Sequence, residues 1–198
     1  MNKEISVRAF IAVELTDAIK ENIARLDKEL PEPGIGLKPV SRGNMHLTLK
    51  FLGHTPAEKV REIKAVLGEL TSGAKPFRLS FRGVGAFPSP ERPLILWAGA
   101  GDENSALLSI QAELEERLEK TGFDREKRPY HPHVTVARLG KNVKSGAKKA
   151  VREWLEKNRD ADFGEMEVRS LSLFRSELSA RGAVHTLIAG FDFAEGLP

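Results

Sequence analysis

Residues 46–53 read HLTLKFLG, and residues 133–140 read HVTVARLG. Four of the eight positions are identical, namely the His, Thr, Leu and Gly, and two more positions exchange leucine for valine. The copies lie 87 residues apart, a little under half of the 198-residue chain. In each copy apolar residues alternate before a closing glycine, which predicts a β-strand. The repeat predicts that the chain contains two related units.

The elements around the two strands repeat as well. Before the first copy, the pattern predicts a strand from Val7 to Leu15 and a helix capped by Thr16. We expect residues 55–58, TPAE, to form a capping box that opens the next helix, and Asp102 to cap a later one. Each half then reads strand, helix, strand, helix, strand, strand. We therefore predict one bilobal domain over residues 1–198, related internally by a pseudo-two-fold axis.

Composition excludes several classes of site but does not identify a function. The sequence has 40% hydrophobic and 30% charged residues, as expected of a globular protein. It has no cysteine, which excludes disulfide frameworks, zinc–thiolate sites and cysteine nucleophiles and fits a reducing compartment. The first residues lack the apolar segment of a signal peptide, so we expect a cytoplasmic protein with no membrane span. The net charge of +3 permits an anionic ligand without requiring one.

The two His-x-Thr strands predict a polar groove between the lobes. Residues i and i+2 of a strand share a face, so His46 projects with Thr48, and His133 projects with Thr135. The opposite, core-facing side is expected to carry the apolar residues, namely Leu47, Leu49 and Phe51 in the first strand and Val134 and Val136 in the second. If the halves pack about a pseudo-two-fold axis, two imidazoles and two hydroxyls face one volume.

Such a set suits the opening of an intramolecular phosphodiester. One histidine can accept a proton from water and the other can protonate the departing ribose oxygen, because the unperturbed pKa of histidine lies near neutrality. The threonine hydroxyls can donate hydrogen bonds to the phosphate oxygens. His131 and His133 could also form a metal pair, but no third ligand follows at a recognisable spacing. We therefore expect neither a metal ion nor a cofactor.

Three further residues are weaker candidates. Arg138 could clamp phosphate, although strict alternation places it on the face opposite His133. Phe10 falls on the polar side of its strand and could stack a base, or it could belong to a second core. Lys50 is expected on the same strand face as His46, where it would contact phosphate or solvent. His185 is expected in the last strand, half-buried or facing solvent.

The sequence resembles the 2H phosphoesterase superfamily, and more narrowly the LigT-like RNA 2',3'-cyclic phosphodiesterases, also called 2'-5' RNA ligases. The matching segments span nearly the whole chain in the order of the family: Arg8–Leu15, His46–Gly53, Phe87–Pro88, Arg92–Leu94, Tyr130–Arg138 and Leu171–Gly182. The resemblance implies a mixed α/β fold of the α+β type, in which two antiparallel sheets line a central cleft and the helices lie outside.

The resemblance also implies an activity, a substrate and residue roles. The activity is hydrolysis of RNA 2',3'-cyclic phosphate ends to 2'-phosphomonoesters, with RNA such as tRNA fragments as the substrate and a monomeric enzyme. In the family pattern His46 is the proton donor and His133 the proton acceptor, while Thr48, Thr135 and Arg138 bind phosphate. Three alternative functions remain compatible with the sequence: RNA 2'-5' ligation in the reverse direction, cleavage of small cyclic nucleotides, or a non-catalytic module that binds RNA ends.

Overall fold

The structure of the protein, a computed structural model, describes residues 6–31, 36–140, 146–179 and 182–194. The strands in these ranges are β1 (Ser6–Glu14), β2 (Leu37–Pro39), β3 (His46–Pro56), β4 (Phe77–Phe87), β5 (Ile95–Gly101), β6 (His133–Leu139), β7 (Asp162–Val168), β8 (Ser170–Ser179) and β9 (Gly182–Asp192). The α-helices are α1 (Asp17–Ala24), α2 (Lys59–Gly73), α3 (Ala106–Lys120) and α4 (Ala147–Lys157). Short 3-10 segments cover Arg25–Glu29 and Arg42–Asn44.

The strands form one antiparallel sheet with two halves. The first half has the order β3-β1-β8-β9 and the second has the order β7-β4-β5-β6. Within the described ranges the halves meet at one residue pair, Leu47 of β3 with Val134 of β6. Beyond that pair the two strands separate, and β2 pairs with residues 137–139 of β6 instead. The mixed α/β fold class is confirmed, and the two expected sheets are the halves of this continuous sheet.

The two halves of the sheet do not coincide with the two repeated units of the sequence. The first half combines β1 and β3 with β8 and β9, whereas the second half is built from β4 to β7. The β4 strand follows the helix after the first His-x-Thr strand, yet it pairs with β5 and β7 in the other half. The two units are therefore interleaved. The prediction of one domain over residues 1–198 extends to chain ends that lie outside the described residues.

The helices cover the side of the sheet opposite the His-x-Thr pairs. Helix α1 packs against β7, where the Asn22 side-chain amide donates a hydrogen bond to the Phe163 carbonyl over 3.0 Å. Helices α2 and α3 pack together, with α2 against β3, β8 and β9. Apolar residues of all four helices join the core, among them Ile19, Ile63, Leu67, Leu107, Leu114, Val151 and Trp154. None of these helices has both the length and the apolar character that a bilayer span requires.

Two of the three predicted helix caps are confirmed. The Thr16 hydroxyl accepts a hydrogen bond from the Ile19 backbone N–H over 3.4 Å, and the Asp102 carboxylate accepts from the backbone of Ala106. The predicted capping box at residues 55–58 is wrong. Thr55 pairs with Val7 inside the sheet, so β3 continues to Pro56 and α2 begins only at Lys59, without a side-chain cap. Strand pairing therefore overrides the local capping pattern here.

Candidate active site

His46 and His133 stand at the first positions of β3 and β6, one residue before the pair that joins the two halves. The Nδ1 of His46 lies 2.8 Å from the Asn44 carbonyl oxygen, and the Nδ1 of His133 lies 2.7 Å from the His131 carbonyl oxygen. A carbonyl only accepts hydrogen bonds, so each Nδ1 carries the hydrogen and donates it. Both rings therefore present Nε2 as the free nitrogen, through equivalent contacts in the two strands.

The environment of the cleft lowers the pKa of both histidines. Burial lowers the pKa of His46 from 6.5 to about 4, and the positive charges of His185, Arg138 and His133 act in the same direction. Its hydrogen bond to the Asn44 carbonyl opposes this shift. Burial also lowers the pKa of His133, followed by the charges of His131 and Arg138, against the His131 carbonyl. Without a bound anion, His46 is neutral at pH 7.

Thr48 and Thr135 lie on the same faces as the two histidines. Both threonines are half-buried, whereas Leu47 and Val134 between the members of each pair are fully buried in the core. Within the described part of the chain, neither threonine hydroxyl has a hydrogen-bond partner. The Tyr130 hydroxyl donates a hydrogen bond to the Thr48 carbonyl oxygen over 2.8 Å and ties β3 to the segment before His133. The two hydroxyls are thus available to a ligand in the cleft.

Both strands contain a bulge at the equivalent position. In β3, Thr48 pairs with Ala12 and Lys50 pairs with Ile11, which leaves Leu49 as the extra residue. In β6, the pairs that flank the shift leave Val136 as the extra residue. A bulge puts two residues opposite one, so the alternation of faces inverts beyond it. The residues five positions after each histidine therefore return to the cleft face.

In β6 the bulge brings Arg138 to the cleft. Its side chain is exposed, and its positive charge contributes to lowering the pKa of His46, His133 and His185. Among the described residues no carboxylate forms an ion pair with its guanidinium. Strict alternation, which placed Arg138 on the face opposite His133, is wrong because the bulge intervenes. An unpaired guanidinium in this position suits a phosphate or a nucleobase.

In β3 the bulge turns Lys50 into the protein interior. The Nζ of Lys50 lies 2.5 Å from the Glu115 carboxylate, and each side chain is 5% exposed. Lys50 also donates to the Asp124 carbonyl, while Glu115 accepts from the Gln111 side chain and from the Glu126 backbone. The prediction that Lys50 faces phosphate or solvent is therefore wrong. This buried pair instead anchors the back of β3 to α3 and to the segment that follows it.

The same bulge turns Phe51 outward on the cleft side. Its side chain is 70% exposed, and its ring centroid lies 6.0 Å from that of Phe10. Phe51 and Arg138 each follow their histidine by five residues, so they are equivalent in the two strands. Sequence reasoning missed Phe51 because alternation assigned it to the core. The signal was available in the repeat itself, where an apolar residue aligns with an arginine.

Phe10 lies beneath His46 and not at an open surface. Its ring is 2% exposed and stacks with those of His46 and Phe174, at centroid distances of 4.7 and 5.2 Å. A base therefore finds no free face on Phe10. Phe10 supports the site by stacking with His46. His185 of β9 completes this cluster, with its ring 5.2 Å from His46 and edge-on to it. Sequence reasoning left His185 outside the site because no repeat partner marks it.

The acid–base groups of the cleft are not accompanied by a recognisable metal site. Across the described ranges, no group of three or more His, Asp or Glu side chains is arranged to hold a metal ion. The chemistry that the cleft residues themselves offer is proton transfer through two Nε2 atoms, hydrogen-bond donation by two hydroxyls and charge neutralisation by one guanidinium. Such a set fits a phosphodiester at its centre.

The chain is similar to curated proteins over nearly its full length. It is 34% identical over 182 residues to the RNA 2',3'-cyclic phosphodiesterase of Methanocaldococcus jannaschii. The match covers 92% of this chain and 98% of that protein. It is 36% identical over 186 residues to the protein of the same name from Archaeoglobus fulgidus, covering 94% and 100%.

Solved structures share the fold. TT0787 of Thermus thermophilus matches with a TM-score of 0.78 and 28% identity, over 96% of this chain and 100% of that one. LigT of E. coli, solved in complex with 3'-AMP, matches with a TM-score of 0.76 and 23% identity, over 96% and 99%. A family model described as the 2'-5' RNA ligase superfamily matches residues 15–180. The chain therefore belongs to the 2'-5' RNA ligase superfamily, in agreement with the resemblance seen in its two His-x-Thr strands.

Proposed function

We propose that the protein hydrolyses RNA 2',3'-cyclic phosphate ends to 2'-phosphomonoesters by two-histidine acid–base catalysis, without a metal ion. The observation that carries the proposal is the pair of imidazoles that present Nε2 to one cleft, each held by a backbone carbonyl at Nδ1. Binding a phosphate does not need two titratable groups, whereas in-line displacement at phosphorus needs a base on one side and an acid on the other.

The reaction assigns one proton transfer to each histidine. The Nε2 of His133 takes a proton from water as the water oxygen bonds to phosphorus. The bond between phosphorus and the ribose O3' breaks, and the Nε2 of His46 gives its proton to that oxygen. Thr48 and Thr135 donate hydrogen bonds to the two non-bridging oxygens as negative charge accumulates there. The donor and acceptor roles follow the family resemblance.

The substrate itself supports the donor role of His46. In the free protein burial keeps its pKa at about 4, which disfavours the protonated ring that a donor needs. A cyclic phosphate carries one negative charge, and an opposite charge within a few ångströms raises the pKa of an imidazole. Binding of the phosphate therefore recruits the proton that His46 later transfers.

Arg138 and Phe51, which we call the outer pair because they follow the two bulges, would bind the terminal nucleoside. The unpaired guanidinium of Arg138 can contact phosphate or lie on a base, and the exposed ring of Phe51 offers a stacking surface. Phe51 takes the stacking role that the sequence had suggested for Phe10, whose ring is buried. Phe10 would support the ring of His46 from behind.

The curated relatives support the substrate class. Proteins named RNA 2',3'-cyclic phosphodiesterase match this chain at 34 and 36% identity over more than nine-tenths of its length. The proposal accordingly includes RNA fragments with cyclic ends, such as cleaved tRNA, as substrates, and a monomeric enzyme that acts in the cytoplasm.

A second candidate is RNA 2'-5' ligation, which the description of the superfamily names. When the 5' hydroxyl of a second RNA replaces water, the two histidines keep their roles: His133 takes the hydroxyl proton as that oxygen bonds to phosphorus, and His46 gives its proton to the departing O3'. Small cyclic nucleotides as substrates are the third possibility in the same site. Product analysis separates these reactions, and turnover of any kind excludes a module that binds RNA ends without cleaving them.

The decisive experiment uses an RNA that ends in a 2',3'-cyclic phosphate, incubated with an excess of chelator. We expect a 2'-phosphate product at the wild-type rate, and losses of at least about a hundredfold for His46→Ala and for His133→Ala. His54→Ala is the matched control, since His54 is an exposed histidine of the same strand as His46. Undiminished turnover in either cleft variant would refute the two-histidine mechanism, and inhibition by chelator would refute metal independence.

A further inference from the structure

The side chain of Asn44 links the segment before β3 to the edge strand β9. Its amide donates a hydrogen bond to the Ala183 carbonyl oxygen over 2.8 Å, between residues 139 positions apart in the chain. The order β3-β1-β8-β9 places two strands between β3 and β9. This half of the sheet therefore curls back on itself, and the hydrogen bond closes it beside the catalytic site. The two-histidine mechanism does not use this side chain.

The backbone of the same residue orients His46. The Asn44 carbonyl oxygen lies 2.8 Å from the Nδ1 of His46 and accepts its hydrogen, which leaves Nε2 to the cleft. Asn44 ends the short 3-10 segment Arg42–Asn44, of which no residue is buried. Another anchor of this segment, from the Arg42 guanidinium to the Asp17 carbonyl, is 3.3 Å long and exposed. The position of the Asn44 carbonyl therefore depends strongly on the bond to Ala183.

Strand β9 also contacts His46 directly. The ring of His185, two residues after Ala183, lies edge-on to that of His46 at a centroid distance of 5.2 Å. Phe10 stacks on His46 at 4.7 Å and meets His185 edge-on at 5.0 Å. His46 is thus held by a carbonyl at Nδ1, by Phe10 on one face and by His185. Two of these three contacts depend on where β9 lies.

The second catalytic histidine is anchored differently at the equivalent place. His131 takes the position of Asn44, and its carbonyl accepts from the Nδ1 of His133. The ring of His131 packs edge-on against Trp97 and Phe87, at centroid distances of 4.7 and 5.7 Å. Pro132 follows, and a proline restricts its own backbone and that of the residue before it. Packing and a proline fix this carbonyl, whereas the carbonyl of Asn44 relies on a hydrogen bond from its own side chain.

We propose that Asn44 is a positioning residue for the proton donor: its bond to Ala183 holds the carbonyl that keeps a hydrogen on the Nδ1 of His46 and directs Nε2 at the cleft. This inference rests on the proposed function, in which that Nε2 gives its proton to the departing O3'. The Asn44 side chain is engaged with β9, so it acts through His46. Its loss should lower kcat and leave KM nearly unchanged, because a displaced imidazole transfers its proton less well to a substrate that binds as before.

Two variants of Asn44 test this role. Asn44→Leu keeps the approximate volume of the side chain but cannot donate a hydrogen bond, and Asn44→Ala removes the side chain. On an RNA with a 2',3'-cyclic phosphate end, both should lower kcat about tenfold to a hundredfold, with KM within about twofold of wild type.

Asn22→Ala is the matched control for these variants. The Asn22 amide also donates to a distant backbone carbonyl, that of Phe163, over 3.0 Å, but it joins α1 to β7. Asn22→Ala should lower the urea concentration at the unfolding midpoint about as much as Asn44→Ala does, because each variant loses one bond of the same kind. It should keep the kcat of the wild type.

A spectroscopic measurement separates the effect on His46 from a loss of stability. Nitrogen NMR spectra of protein with isotope-labelled histidine, at pH 7, show which ring nitrogen carries the hydrogen, and His46→Gln identifies the signals of His46. We expect the Nδ1–H form in the wild type and in Asn22→Ala. Both Asn44 variants should show a mixture with the Nε2–H form, because the carbonyl partner sets the tautomer. His133 should keep its Nδ1–H form in every protein and is the internal control.

The outcomes separate this inference from the proposed function. A wild-type kcat in Asn44→Leu would overturn the role of Asn44, as would a loss of kcat with no change in the tautomer of His46. Equal losses of activity in Asn22→Ala and Asn44→Ala would also overturn it, since stability alone would then explain both. If the wild type cleaves no cyclic phosphate while the tautomer of His46 depends on Asn44, the positioning stands and the proposed reaction fails. If cleavage depends on both histidines but not on Asn44, the reaction stands and the positioning fails.

Discussion

The two His-x-Thr strands are alike at their histidines and threonines and differ beyond the bulge that follows. Each begins with a histidine whose Nδ1 donates to a carbonyl two residues earlier, and each contains a bulge three residues after that histidine. Beyond the bulge, β3 carries Lys50 and Phe51, whereas β6 carries Ala137 and Arg138. Lys50 is buried against Glu115, while Ala137 is fully buried in the apolar core.

This contrast teaches which parts of the site are free to differ. A base and an acid act on opposite sides of one phosphorus atom, so the inner residues can follow a two-fold pattern. A nucleotide has no such symmetry, because its base extends to one side only. We therefore expect the two His-x-Thr pairs to govern the chemical step. The outer pair, Phe51 and Arg138, should govern the affinity for the nucleoside.

The largest effect on activity should come from replacing either histidine of the two His-x-Thr pairs. His46→Gln and His133→Gln should each lower kcat by about 10²–10⁴-fold, since each removes one proton transfer. The double variant should lose little more than either single variant, because the two histidines act in the same step. Single-turnover assays at saturating RNA measure this comparison. A double loss equal to the product of the single losses would show that the histidines act independently.

The buried ion pair behind β3 should matter for stability. Lys50→Met leaves Glu115 charged and without its partner, which should cost about 3–5 kcal/mol of unfolding free energy. Adding Glu115→Leu should restore most of the loss, because an apolar pair replaces the ionic one. Urea unfolding at pH 7 measures both variants. Lys59→Met is the control, since Lys59 pairs with Glu62 at the surface and should contribute less than about 1 kcal/mol.

The buried imidazole of His46 should make stability depend on pH. Its pKa is about 4 in the folded protein and 6.5 when unfolded, so the unfolded chain binds the proton first as pH falls. This group therefore lowers the unfolding free energy between pH 6.5 and 4, by about 3 kcal/mol in total. The measurement compares wild type with His46→Gln across this range. The variant should lose less stability on acidification, and parallel curves would contradict the low pKa.

Truncating either residue of the outer pair should have the smallest effect on activity. Phe51→Ala and Arg138→Ala should each raise KM for a mononucleotide cyclic phosphate about tenfold, in line with the loss of one stacked or charge-assisted contact. Phe51→Leu should recover only part of the loss, since leucine offers surface without a flat ring. Initial rates over a range of substrate concentrations separate KM from kcat. A loss confined to kcat would place either residue in the chemical step instead.

The sequence predicted the parts of the molecule that depend on local pattern. Family resemblance supplied the mixed α/β fold class and the proposed roles. The strands that carry His46 and His133 and the caps at Thr16 and Asp102 follow from alternation, repetition and short-range hydrogen bonding. These features are encoded within a few residues of one another, so a single sequence is enough to recognise them.

The sequence did not predict features that depend on strand pairing. A bulge is defined by the partner strand, so alternation alone placed Lys50, Phe51 and Arg138 on the wrong faces. Thr55 appeared as a helix cap because its pairing with Val7 could not be seen. The position of His185 beside His46 depends on β9 folding back along β8, far away in sequence.

The way the helices cross between the two halves of the sheet has a consequence for cooperativity. Helix α1, which follows β1, packs against β7 in the second half, and α3, which follows β5, packs against β3 in the first half. Opening either half therefore removes a packing surface from the other, and we expect amide exchange in β3 and β6 to report one common unfolding event. His46 and His133 would then be ordered together or not at all.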